Sequence, residues 1–217
     1  MVLAAKHVFF LSATLLAVLG AQGCGRGTAA QHQASHAQNP PMAAAELVIG
    51  AAAPNFSGIV GTDDKPHGLA DYKDAKLVVL VFTCNHCPVA QAYQDRLIAL
   101  QKDYQPKGVQ VVAVNVNNMP ADRLDEMKKR AKQEDFNFPY LYDSTQKIGH
   151  DYHAAVTPHV FVLDQQRKIA YMGAIDDSQQ VGQVKKHYLR DALDALLAGK
   201  KPPEEVTRQF GCGIQYE

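Results

Sequence analysis

Two runs of mainly branched aliphatic residues, Leu77–Phe82 and Val111–Val116, constrain the fold more than anything else in the chain. Each reads as a buried strand. Between them Val89, Tyr93, Leu97, Leu100 and Tyr104 recur at three- and four-residue spacing, the apolar face of a helix lying on a sheet, and Pro106-Lys107-Gly108 ends it. Strand, helix, strand in this order requires parallel pairing through a right-handed crossover. An α/β fold with a central sheet flanked by helices is the expectation.

The remaining segments extend that sheet. Gly61-Thr62-Asp63-Asp64 marks an irregular or hairpin approach to the first core strand. Met119-Pro120-Ala121-Asp122 starts a second helix with Leu124, Met127 and Ala131 on one face and a solvated basic and acidic face opposite. Phe138-Pro139-Tyr140 is a loop or short extended piece, and Ser144 to Tyr152 a short helix. Val160–Leu163 and Lys168–Met172 flank the turn Asp164-Gln165-Gln166-Arg167 and form a hairpin. A last helix runs from about Val184 to Leu197 and stops at Gly199. With 217 residues, 47% of them hydrophobic, the chain suits one domain with appendages. Its net charge is zero without a dense Lys/Arg block, which argues against a nucleic-acid surface.

The N-terminus is read as an address. Lys6 precedes the apolar stretch Val8–Leu19, then Gly20-Ala21-Gln22-Gly23 and Cys24, so residues 1–23 form a signal peptide, too short for a membrane span. Gly23-Cys24 also fits a lipoprotein signal, in which Cys24 is lipidated and tethers the chain to a membrane, although Ala21 replaces the usual Leu. Cleavage without lipidation is the alternative. Both routes put the folded part outside the cytoplasm, in the periplasm, where disulfides persist. Residues 24–46, rich in Ala, Gln, His, Gly and Pro, read as a flexible tether, and residues 47–217 as the globular domain.

Cys84-Asn85-His86-Cys87 stands where the first strand gives way to the helix. Unpaired N–H groups and the positive end of the macrodipole at a helix start favour a thiolate, so Cys84 is expected to be exposed and nucleophilic, with Cys87 one turn deeper to resolve. Pro88 is compatible because the first helical N–H groups lack partners anyway. A protonated His86 beside Cys84 would tune the pair towards a more oxidising disulfide. Thr157-Pro158, ahead of the strand at Val160, is the second element: a cis bond there would present the Thr157 backbone to the sulfurs and to an incoming chain. Taken alone, the first motif is also half of a zinc site and the second an ordinary turn.

Together these elements resemble the thioredoxin-like fold over about Leu47 to Glu217, and in particular its redoxin branch near the alkyl hydroperoxide reductase/thiol-specific antioxidant (AhpC/TSA) and TlpA/ResA-type proteins. Phe82-Thr83-Cys84-Asn85-His86-Cys87-Pro88, Phe138–Asp143, Thr157-Pro158 with Phe161–Asp164, and Gly173-Ala174-Ile175-Asp176-Asp177 are similar to a bacterial group sharing a Thr-Cys-Asn-His-Cys-Pro active site. The resemblance implies a redox-active Cys84/Cys87 pair and a cis Pro158, without fixing a substrate. It also implies a Gly-Cys near the C-terminus, met here by Gly211-Cys212. Cys212 is then a further resolving thiol or a regulatory partner for Cys84, or else a thiol tucked under the tail or left unpaired.

The resulting expectation is an extracytoplasmic thiol–disulfide oxidoreductase acting on protein thiols and disulfides with an unidentified electron donor or acceptor. No organic cofactor and no metal are implied. Two other readings are kept. A thiol peroxidase fits the family, but the chain lacks Pro-x-x-x-Thr-x-x-Cys, since Thr83 directly precedes Cys84. A copper-binding module would use Cys84, Cys87 and His159, although copper-delivery relatives space their cysteines by three residues. His67, His150 and His187 are expected at the surface.

Overall fold

The structure is a computed structural model that describes residues 47–217. The signal segment, the tether and Cys24 lie outside the described residues. The element order is β1 (Ile59–Gly61), β2 (Pro66–His67), β3 (Leu77–Phe82), α1 (Pro88–Ala92), α2 (Gln94–Tyr104), β4 (Val109–Asn115), α3 (Leu124–Gln133), β5 (Tyr140–Tyr142), α4 (Lys147–Asp151), β6 (Val156–Thr157), β7 (His159–Leu163), β8 (Ile169–Gly173), α5 (Tyr188–Leu197) and β9 (Cys212–Gly213).

Seven strands form one mixed sheet in the order β2-β1-β5-β4-β3-β7-β8. β3 and β4 pair in parallel over their length, as the crossover requires, while β7 runs antiparallel beside β3 and forms the expected hairpin with β8. The strand alternation of β3 explains why it is apolar throughout. Val79 and Val81 face one core with Leu97 and Leu100 of α2 and Leu189 and Leu193 of α5. Val78, Leu80 and Phe82 face a second core with Phe56, Ile148, Tyr152 and Phe161. All six β3 residues are buried, so both faces contribute hydrophobic stabilisation.

Three local expectations are refined. The loop at Pro139 leads into β5, a third parallel strand that pairs with β4 and is too short to show periodicity. The helix after Cys87 breaks at Tyr93, whose hydroxyl donates to Asp176 at 2.8 Å. The last helix begins at Tyr188 rather than near Val184, because Val181–Gln183 is a separate 3-10 turn. His150 and His187 are exposed and His67 is partly buried.

Candidate active site

The site lies beyond the carboxyl ends of the parallel strands β3 and β4, where open α/β sheets place their ligands. Pro88, with its fixed φ and missing N–H, starts α1 at its first position. Cys87 is therefore the N-cap, its sulfur 3.4 Å from the Ala90 amide. Cys84 sits in the loop between strand and helix, not at the helix start as the sequence suggests.

The cysteines pair differently from the sequence reading. Cys87 is bonded to Cys212, 125 residues away in sequence, with their Cα atoms 5.9 Å apart. Cys212, expected to partner Cys84 or to stay unpaired, is thus the partner of the resolving residue. Among the described residues Cys84 is the free cysteine. It is 1% exposed rather than open to solvent. Burial pushes its pKa up to about 11, partly opposed by its hydrogen bond with Thr157, while the nearby Asp122 charge pushes it up further. Desolvation outweighs the backbone hydrogen bonds that favour the charged form. At pH 7 such a thiol is held in its protonated form.

Thr157 joins the pair to the sheet. Its Oγ1 lies 3.1 Å from Cys84 Sγ, and its carbonyl oxygen is 3.4 Å from Cys87 Sγ. The Thr157-Pro158 bond is cis, as expected. His159, next in sequence, has its side chain on the opposite core with Phe161, Tyr152 and Met172 around a 220 Å³ cavity. Burial depresses its pKa to about 4. It does not join the sulfurs, so the copper set Cys84, Cys87 and His159 is not assembled: the sheet register pairs His159 with Phe82, and Cys87 is bonded to Cys212.

The residue missed from sequence is Asp122. It is fully buried at the end of a 3-10 turn after β4. Oδ1 accepts the Asn85 amide at 2.7 Å, the His86 amide at 3.3 Å and Asn115 Nδ2 at 3.1 Å, and Oδ2 accepts His86 Nδ1 at 2.5 Å. A carboxylate can only accept, so Nδ1 carries the ring proton. His86, the expected tuning residue, is therefore held by Asp122, whose own charge acts on Cys84 in the opposite sense and raises its pKa. Tyr140 completes the network by donating to Asn85 Oδ1 at 3.0 Å. The sequence signal was weak: Asp122 reads as an ordinary acidic residue at a helix start, and its burial is decided by tertiary packing.

Cys84, His86 and Asp122 each offer a ligand atom within 4.8 Å of the others, the set among the described residues that could hold a metal ion. Asp122 is already committed to four N–H donors and Cys84 to Thr157, so this set is occupied by protein partners.

The fold and site define a thioredoxin-like protein with a three-cysteine centre beside a cis-proline. Residues 49–172 match the model of the AhpC/TSA family. The chain belongs to the AhpC/TSA family. It is similar to an uncharacterised conserved protein from Geobacillus kaustophilus, with 38% identity, 79% of this chain and 93% of that chain covered, and a TM-score of 0.74. A hypothetical protein from Sinorhizobium meliloti 1021 is 31% identical over 78% of this chain and 95% of that chain, with a TM-score of 0.73. A candidate thiol:disulfide interchange protein DsbE from Chlorobium tepidum is 25% identical, covering 58% of this chain and 84% of that chain, with a TM-score of 0.52. No curated protein matches the chain in sequence. Redoxin membership supports an oxidoreductase.

Proposed function

We propose that the protein is a thiol–disulfide oxidoreductase that exchanges disulfides with protein partners through Cys84 and Cys87. The observation that carries this reading is the clustering of the free Cys84 with the Cys87–Cys212 disulfide beneath the cis-proline segment. Cys84 thiolate attacks Cys87 Sγ, a bond forms between them, and Cys212 leaves as a thiolate. No electrons enter or leave in that step. A partner thiolate then attacks Cys84 Sγ and expels Cys87 thiolate, giving a mixed disulfide. The partner's second thiolate attacks its own sulfur and releases Cys84. Two electrons have passed from the partner dithiol to the Cys84/Cys87 pair. Run backwards, the same steps reduce a partner disulfide, and relative potentials set the direction. The 25% identity to the Chlorobium interchange protein agrees with this chemistry.

The signal pattern in residues 1–23 and the Cys at 24 support action outside the cytoplasm, with a lipid on Cys24 as the tether. The test is covalent capture. A Cys87→Ser variant is expected to accumulate mixed disulfides on Cys84, identified by mass, and a Cys84→Ser variant none. Capture of nothing by the first variant, or equal capture by both, would refute the exchange.

A further inference from the structure

The C-terminal segment is laid along the site with unusual completeness for a chain end. Cys212 and Gly213 of β9 pair antiparallel with Thr157 and Val156 of β6. Beyond them the Ile214 amide donates to the Ala155 carbonyl at 2.9 Å, and Tyr216 Oη donates to the Ala154 carbonyl at 2.6 Å. Gln146, buried and in the left-handed region at φ 61°, clasps the end from the other side. Its Nε2 donates to the Gln215 carbonyl and its Oε1 accepts the Glu217 amide, each at 2.8 Å. Gly211 rests against the Thr157 carbonyl so closely that a Cβ would overlap it. The segment therefore occupies the free edge of the strand preceding cis-Pro158, and Cys212 packs against the cluster of Cys84 and Cys87.

We propose that residues 208–217 are a redox-operated cover, closed by the Cys87–Cys212 disulfide and opened by its reduction. This rests on the exchange function proposed above and adds its regulation. A strand edge binds one partner at a time, so an extended cysteine-bearing chain cannot pair with β6 while β9 does. The ladder and the Gln146 and Tyr216 contacts are hydrogen bonds that local opening can break, and the disulfide makes the closed state persist.

Besides the internal attack by Cys84, the bond is reduced directly by an external dithiol whose thiolate reaches one of its sulfurs. Cys87 is fully buried and Cys212 only partly, so attack falls on Cys212 Sγ. Cys87 leaves as a thiolate and takes up a proton. The reductant's second thiolate then displaces Cys212 and closes its own disulfide. Two electrons and two protons pass to the protein, the tail lifts, and Cys84 meets solvent.

The experiment measures alkylation of Cys84, mapped by mass, in four samples: the oxidised protein, the dithiol-reduced protein, dithiol-reduced Cys212→Ser, and oxidised Gly211→Val, whose side chain cannot fit against Thr157 with Cys212 retained. Hydrogen exchange at residues 154–157 reports tail release in each. Alkylation at least ~10-fold faster in the last three, with loss of protection at β6, is expected. Equal rates in all four, with the tail still protected after reduction, would overturn the cover. Insulin-disulfide reduction assayed on the same samples separates the two ideas. Activity with equal alkylation rates keeps the oxidoreductase and rejects the cover; an exposed Cys84 that exchanges with no disulfide keeps the cover and rejects the oxidoreductase.

Discussion

The two cores and the active-site loop are both dry, yet they are built on opposite principles. Around β3 the buried groups are interchangeable in kind: Val78, Leu80 and Phe82 fill one side and Val79 and Val81 the other, and no polar atom in those side chains requires a partner. A few residues further on, Asn85, Asn115, Asp122 and Thr157 are also buried, and each side chain is tied to a specific donor or acceptor. A core of the first kind degrades by degrees when trimmed. A polar cluster of the second kind loses whole groups of hydrogen bonds when one member goes, because an unpaired buried donor cannot recover its water.

That contrast is sharpest at Asp122. Asp122→Ala removes the acceptor of four N–H groups and is expected to cost about 3–5 kcal/mol in urea unfolding. Asp122→Asn removes the charge and turns one of its two acceptor oxygens into an NH2 donor, so the Cys84 thiol in the reduced protein should titrate lower, as followed by thiolate absorbance. An unchanged or higher value would show that Asp122 does not oppose the thiolate. In the core, Leu80→Ala is expected to cost about 2–5 kcal/mol while leaving that titration where it was. If it moved the titration as far as Asp122→Asn does, the two regions would not be separable.

His159 joins the two regions, being a titratable ring buried in an apolar pocket with Nδ1 unpaired. Its folded pKa is about 4 against an ordinary 6.5, so the unfolded chain takes the proton first. Stability is then full above pH 6.5 and declines as pH falls towards 4, by up to about 3 kcal/mol. His159→Gln should flatten that decline in unfolding curves at pH 5 and 7; an undiminished slope would assign it to other groups. The smallest effect belongs to the surface. Asp103→Asn breaks the exposed pair with Arg190 at 2.8 Å and should change stability by about 0.2–1 kcal/mol, less at high salt.

Apolar residues carry their instruction locally, which is why the crossover and the β7–β8 hairpin were legible in the chain, while the thioredoxin-like class came from the resemblance of its motifs to a family. Their partners are any other apolar surface, and spacing alone states which face they need. The Cys84-x-x-Cys87 and Thr157-Pro158 motifs were legible as short spans of sequence, and the cis bond implied by the family resemblance is present. Asp122, the burial of Cys84 and the Cys87–Cys212 bond were not. Each depends on residues 37 to 125 positions apart meeting at the end of the sheet. A carboxylate, a thiol and a tail cysteine look the same in sequence whether wet or dry, and only the packing around them decides which charge is stable and which sulfur is in reach.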